Sequence, residues 1–251
     1  MRHLVVGNWK MHHTIAQTDA FIDALIALTD TIPRSVDVGI APPFTSLPRA
    51  AERLRNTPFL LCAQNVHWEP QGAFTGEISA PMLAELGVEY VIVGHSERRE
   101  YFGETDATVH KRIVGALRGG IKPIVCVGES LAERKAGRAD ERVTVQTRAA
   151  LDGLSNEEIA RVTMAYEPVW AIGTGENCHP GAADATMGVI RNSVRGLANA
   201  RVLYGGSAKP ENIAHYASRP NITGALVGGA SLDAQTFAAL IRNAVEGTAA
   251  S

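Results

Sequence analysis

Short apolar runs rich in valine and isoleucine recur along the chain, and they constrain the fold more than any other feature. Most of these runs are continuous and do not alternate with polar residues, a pattern typical of strands buried on both faces of a parallel sheet. The runs predict eight strands, at residues 3–7, 36–41, 59–63, 90–94, 122–128, 161–166, 200–205 and 223–229.

Stretches with helical periodicity separate the apolar runs. Between residues 14 and 30, for example, Phe21, Ile22 and Leu25 fall on one broad apolar face. We predict further helices at 106–119, 140–154 and 233–247 and, from less regular patterns, at 45–55, 79–86 and 209–218. Strands that alternate with helices in this way pair in parallel through right-handed crossovers.

Eight strand–helix units in 251 residues match the size of a closed (β/α)8 barrel. We therefore predict an α/β fold in which residues 1–251 form a single barrel domain, with an open doubly wound sheet as the alternative. No linker, low-complexity segment or shift in composition marks a second domain. In such a barrel the functional side chains lie at the carboxyl ends of the strands.

Charge and cysteine content narrow the classes of partner. The chain has 24 basic and 26 acidic residues and a formal net charge of −2, so it has no basic excess for binding nucleic acid. No apolar run is long enough to predict a signal peptide or a membrane span. The three cysteines are widely spaced, which indicates reduced thiols and neither a metal site nor a redox motif. We expect a cytoplasmic protein without nucleic acid or membrane partners.

Polar residues and glycines stand at the ends of several predicted strands. They are Asn8 and Lys10 after the first strand, His95 after the fourth, Glu167 after the sixth, Ser207 after the seventh, and Gly228 and Gly229 at the end of the eighth. The set contains a cation, an imidazole, a carboxylate and two glycine-rich loops. Backbone N–H groups of such loops suit a phosphate, and the other groups suit acid–base chemistry.

Each of these side chains also has a purely structural interpretation. Lys10 alone would be an ordinary surface lysine, His95 a hydrogen-bonded core histidine, and Glu167 the cap of the next helix. Glu167, however, follows an apolar run and directly precedes Pro168. We therefore expect a partly desolvated carboxylate with a raised pKa, which would be a stronger base. The order of the whole set along the chain favours the catalytic interpretation.

Six segments resemble the triosephosphate isomerase family, and together they span essentially the whole chain. The segments are GNWKM (7–11), GAFTGEIS (72–79), VIVGHSERRE (91–100), AYEPVWAIGTG (165–175), YGGS (204–207) and LVGGASL (226–232). The resemblance implies a (β/α)8 (TIM) barrel that works without a metal ion or a cofactor. It also implies interconversion of dihydroxyacetone phosphate and D-glyceraldehyde 3-phosphate through an enediolate, a reaction of glycolysis and gluconeogenesis.

The resemblance assigns a catalytic role to several of the candidate residues. Glu167 would be the base that moves a proton between two substrate carbons, and His95 the neutral imidazole that polarises the carbonyl. Lys10 would supply positive charge to the developing enediolate, with Asn8 contacting the substrate beside it. Glu97 resembles the acidic partner that the family has near this lysine.

The resemblance also implies how the substrate is held and how the protein assembles. The phosphate would be bound by backbone N–H groups of Gly173, Ser207, Gly228 and Gly229. Residues 168–175 would form a lid, although the chain departs from the family pattern at 176–178, where it reads ENC. A loop around Thr75 would reach into the neighbouring subunit of a homodimer.

Three other functions stay open at this point. A related barrel isomerase that acts on a four-carbon ketose phosphate would keep the same catalytic residues. A sugar-phosphate-binding protein without activity would not need Lys10, His95 and Glu167 together. An aldolase that forms a Schiff base through Lys10 is the third alternative.

Overall fold

Eight parallel strands pair in chain order and close into a barrel in the computed structural model, which describes residues 2–172 and 177–249. The first strand pairs with both the second and the eighth, with His3 opposite Val36 and Leu4 opposite Gly224. The predicted (β/α)8 barrel is therefore confirmed. The alternative of an open sheet is wrong, because an open sheet has two unpaired edge strands.

The strands coincide with the predicted apolar runs. They are β1 (His3–Asn8), β2 (Val36–Ala41), β3 (Phe59–Ala63), β4 (Tyr90–Val93), β5 (Lys122–Val127), β6 (Thr163–Tyr166), β7 (Val202–Tyr204) and β8 (Gly224–Val227). Strands β4 to β8 are each one to three residues shorter than the predicted runs, because the outermost residues of these runs already belong to loops. Each strand end therefore opens directly into a loop at the same mouth of the barrel.

Helices connect the strands. They are α1 (Ile15–Ala27), α2 (Leu47–Leu54), α3 (Ala80–Glu85), α4 (Ser96–Tyr101), α5 (Asp106–Arg118), α6 (Leu131–Lys135), α7 (Ala139–Leu151), α8 (Asn156–Ile159), α9 (Pro180–Ser193), α10 (Ile213–Ala217) and α11 (Ala234–Ala249). All predicted helices are present with shifted ends, whereas the sequence patterns do not predict α4, α6, α8 and α9. No helix in the described ranges is long and apolar enough to cross a membrane.

Two apolar layers make up the core, one inside the barrel and one between the strands and the helices. Leu4 and Val6 belong to the interior layer, together with Ile92. Val5, which stands between them in β1, belongs to the outer layer with Ile22 of α1. Successive side chains of a strand point to opposite faces. Because both faces are covered by apolar groups, the strands read as continuous apolar runs.

Candidate active site

The predicted site residues in the described part of the chain all line one pocket of about 530 Å³ at the carboxyl ends of the strands. They are Asn8, Lys10, His95, Glu167, Ser207, Gly228 and Gly229. Ile172 and Leu226 add apolar surface beside them. Gly173, together with the rest of segment 173–176, lies outside the described residues.

Glu167 directly follows β6, and its side chain is almost completely buried, with only 2% of the residue exposed. Its backbone N–H donates to the Val127 carbonyl at 2.8 Å, so the residue still follows the line of the sheet. Carboxylate Oε2 accepts the Ser96 backbone N–H at 2.9 Å, and Oε1 lies 3.0 Å from His95 Nε2. The end of β6 thus places a carboxylate against the residues that follow β4.

His95 is the N-cap residue of α4, and this position determines which ring nitrogen carries the proton. Nδ1 accepts the Glu97 backbone N–H at 3.2 Å. In the neutral imidazole Nδ1 is therefore the acceptor, and the proton is on Nε2. Nε2 is also the nitrogen that faces Glu167. The turn before α4 consequently presents an N–H donor to the pocket.

The buried Glu167 and His95 shift the pKa of each other. Burial raises the pKa of Glu167, but the facing His95 ring, the Ser96 N–H and the Lys10 ammonium outweigh it, so the net pKa is lowered. Burial lowers the pKa of His95, but the Glu167 and Glu97 carboxylates outweigh it and raise the net pKa. The raised pKa that desolvation predicts for Glu167 is therefore wrong for this arrangement, because neighbouring donors stabilise the charged form.

Lys10 reaches the same pocket from the loop after β1. Its Nζ lies 2.6 Å from Glu97 Oε1. Its backbone φ is 52°, in the left-handed region that is unfavourable for a residue with a side chain. The Lys10 N–H donates to Asn8 Oδ1 at 3.1 Å, and the Lys10 carbonyl accepts from Gln64 Nε2 at 2.9 Å. Two side chains therefore hold this strained backbone from opposite ends.

Gln64 and Glu129 are functional residues that the sequence patterns do not predict, and the patterns give no role to Ser96. Gln64 directly follows β3, and Glu129 stands two residues after the end of β5. Both are polar residues at strand ends, which is the signal that also marks Lys10, His95 and Glu167. The contribution of Ser96 is a backbone N–H, which almost every residue type supplies, so no sequence signal marks it.

Glu129 is fully buried and anchors the segment around Glu167. Its Oε1 accepts the Trp170 indole N–H at 2.9 Å and the Tyr166 hydroxyl at 3.1 Å. The same oxygen lies 3.0 Å from Arg134 Nε. One carboxylate therefore fixes the last residue of β6 and the tryptophan that follows Glu167, on both sides of the candidate base.

Comparison with known proteins agrees with the six matching segments. The family model for triosephosphate isomerase matches residues 3–244. The chain is 48% identical over 246 residues to triosephosphate isomerase of Caldanaerobacter subterraneus subsp. tengcongensis. This alignment covers 96% of this chain and 98% of that relative. It is 49% identical over 248 residues to the enzyme of Herpetosiphon aurantiacus and 46% over 245 residues to that of Moorella thermoacetica, with the same two coverages. The chain belongs to the triosephosphate isomerase family.

Proposed function

We propose that this chain interconverts dihydroxyacetone phosphate and D-glyceraldehyde 3-phosphate through an enediolate, as an enzyme of glycolysis and gluconeogenesis. The observation that carries the proposal is the 3.0 Å approach of Glu167 Oε1 to His95 Nε2 in a pocket that Lys10 also lines. Abstraction of a proton next to a carbonyl needs a base, a hydrogen-bond donor to the oxygen and positive charge nearby. Glu167 supplies the base, His95 the hydrogen-bond donor and Lys10 the positive charge.

Glu167 acts as the base in this mechanism. It would remove a proton from one substrate carbon and return it to the neighbouring carbon. A substrate that draws the carboxylate away from the Ser96 N–H removes a hydrogen bond to the charged form, which raises the pKa of Glu167 and its basicity. Ile172 and Leu226 line the same pocket and would help to exclude water from the carboxylate.

His95 and Lys10 stabilise the negative charge that develops on the substrate oxygens. The Nε2–H of His95 would donate to the carbonyl oxygen and transfer a proton between the two oxygens. Nδ1 already accepts the Glu97 N–H, so a proton on Nδ1 would point at that N–H and the hydrogen bond would be lost. This contact favours the neutral ring once Glu167 has moved toward the substrate. Lys10 adds a positive charge at the same oxygens.

The phosphate group would be held by the backbone of two loops. Ser207 follows β7, and Gly228 and Gly229 follow β8, which is where barrels of this kind commonly bind phosphate. Their backbone N–H groups would bind the phosphate oxygens, with Gly173 as a further donor and Asn8 contacting the substrate beside Lys10. None of these steps requires a metal ion or a cofactor.

The active form is a homodimer in this proposal. Large apolar side chains are exposed after β1, in the loop around Thr75 and at the end of α4, where Met11 has 93%, Phe74 42% and Tyr101 69% of the residue exposed. Exposed apolar side chains that form a contiguous patch mark protein interfaces. The loop around Thr75 would contact the neighbouring subunit close to its Lys10.

A cytoplasmic location accompanies this function. Glycolysis and gluconeogenesis supply and consume the two triose phosphates inside the cell. The cysteines Cys62, Cys126 and Cys178 are all buried and free, which is the state of thiols in a reducing compartment.

A coupled assay of the purified protein tests the proposed reaction and its alternatives. We expect turnover in both directions with the two triose phosphates and no added metal ion. Faster turnover of a four-carbon ketose phosphate would indicate the related isomerase. Covalent labelling of Lys10 by borohydride in the presence of substrate would indicate an aldolase. Binding of triose phosphate without turnover would contradict the proposal and would leave a sugar-phosphate-binding protein.

A further inference from the structure

A second cavity lies at the end of the barrel where the strands begin, opposite the candidate active site. Its volume is about 420 Å³, which is within the range of small-molecule sites. We call it the floor cavity, and its lining includes Arg2, Ile32, Arg34, Val36, Val38 and Phe59. These residues come from the start of the barrel strands and from the turn between α1 and β2, and the proposed isomerisation uses none of them.

The inner wall of the floor cavity is apolar. Ile32, Val36, Val38 and Phe59 are all buried, so each presents only a small face to the cavity. Two prolines and Thr29 complete the lining. An apolar body that displaces water from such a wall gains free energy from the hydrophobic effect. A sugar phosphate has no such body and would gain little here.

The rim of the floor cavity carries an excess of positive charge. Arg2 Nε lies 3.2 Å from Asp37 Oδ1, and the other oxygen of Asp37 accepts from Arg201 Nη2. One carboxylate is thus shared between two guanidinium groups. The guanidinium of Arg34 is exposed, and within residues 2–172 and 177–249 no carboxylate lies within ion-pair distance of it. Arg34 is therefore available to an anion bound in the cavity.

We propose that the floor cavity binds a small amphipathic carboxylate, with a flat apolar body against Val38 and Phe59 and the carboxylate on Arg34. A guanidinium binds a carboxylate through two parallel hydrogen bonds, which orients the ligand as well as holding it. The apolar wall and the charged rim lie on the same cavity, so one ligand can use both. This site is independent of the isomerase pocket at the other end of the barrel.

The test uses the full-length protein with 2-naphthoate as the probe. The control compound is 2-naphthamide, which has the same rings but no charge. By isothermal titration, we expect 2-naphthoate to bind with a Kd below about 1 mM and roughly tenfold more tightly than 2-naphthamide. Arg34→Gln should reduce binding of 2-naphthoate to the level of the amide. Arg195→Gln, at an exposed position that does not line the floor cavity, should leave it unchanged.

Several outcomes would overturn the proposal. They are the absence of binding, equal affinity for the two probes, and unchanged affinity in Arg34→Gln. Displacement of 2-naphthoate by inorganic phosphate, together with unchanged affinity in Arg34→Gln, would place the probe in the isomerase pocket instead. A nuclear Overhauser contact between the Met1 methyl and the Phe59 ring without probe would show that the chain fills the cavity itself. These experiments measure only the binding of the probes and not turnover. A negative result would therefore overturn the floor-cavity proposal without affecting the proposed isomerase activity.

Discussion

Gly128 lies directly against the backbone of Glu167, and a Cβ atom placed on Gly128 would come within 1.7 Å of the Glu167 carbonyl oxygen. The obstructing atom belongs to the backbone, so it cannot rotate aside to make room for a side chain. The loop after β5 and the loop that begins at Glu167 therefore touch through their backbones. The position of the candidate base depends on the lack of a side chain in the neighbouring loop.

Gly128→Ala should displace Glu167 and lower both stability and activity. Overpacking should reduce the free energy of unfolding by roughly 1–3 kcal/mol or more, and displacement of the base should reduce kcat by about tenfold or more. Gly181→Ala is the matched control, because its added Cβ would meet His179 only at an ordinary contact of 3.4 Å. Urea denaturation and steady-state kinetics measure the two effects. A wild-type kcat in Gly128→Ala would contradict this view of the loop.

Glu167→Gln should fold normally and lose most of its activity. The amide keeps the size and shape of the side chain but cannot accept a proton from carbon. We expect kcat/KM to fall by roughly 100- to 10,000-fold, which corresponds to about 3–6 kcal/mol in the barrier. Glu157→Gln, the same change at an exposed position of α8, should retain full activity. Near wild-type turnover of Glu167→Gln would remove Glu167 from the role of base.

The lowered pKa of Glu167 should make stability depend on pH. The folded protein holds this carboxyl below its ordinary pKa of 4.5. Its charge therefore contributes stability above that pH, and the contribution is lost as the pH falls through the lower pKa of the folded state. Relative to Glu167→Gln, the free energy of unfolding of the wild type should fall as the pH is lowered through and below 4.5. A difference that stays constant or grows on acidification would show that the pKa is not lowered.

Gln64→Met should loosen the loop that carries Lys10. The Gln64 amide donates to the Lys10 carbonyl at 2.9 Å and to the Ala41 carbonyl at 2.8 Å, and methionine has a similar volume without these donors. Loss of the bonds should cost about 1–3 kcal/mol in the free energy of unfolding and should raise KM. Gln235→Met, at an exposed position of α11, is the control. Unchanged KM and stability in Gln64→Met would mean that the backbone of Lys10 needs no such support.

Replacement of Gly72–Gly76 by a short linker should separate the proposed homodimer into weakly active monomers. The change removes exposed Phe74 and Thr75, which we place in the interface. Size-exclusion chromatography with light scattering measures the assembly, and the coupled assay measures the activity. Val145→Ser, which removes an exposed apolar side chain from α7, should remain dimeric. A wild-type chain that is monomeric and fully active would refute the assembly.

The barrel could be predicted from the sequence because every strand is buried on both faces. Leu4 and Val5 belong to different apolar layers, and both layers require apolar side chains. A continuous apolar run therefore indicates a strand even when it is not known which side chains face the barrel interior. Helix α9 could not be predicted in the same way. Gly181 and Gly188 weaken its intrinsic helix propensity, and its buried face, which includes Met187, is stabilised by packing against the rest of the chain.

The groups at the mouth of the barrel can be identified from the sequence, because Lys10, His95 and Glu167 each follow a recognisable strand. How these groups act on one another depends on the folded arrangement. Desolvation alone predicts a raised pKa for Glu167, but the Ser96 N–H and the His95 ring lie about 3 Å from its carboxylate and lower it. Electrostatic and hydrogen-bond energies depend on distances of a few ångströms. Such distances between residues far apart in the chain are determined by folding, and no local pattern encodes them.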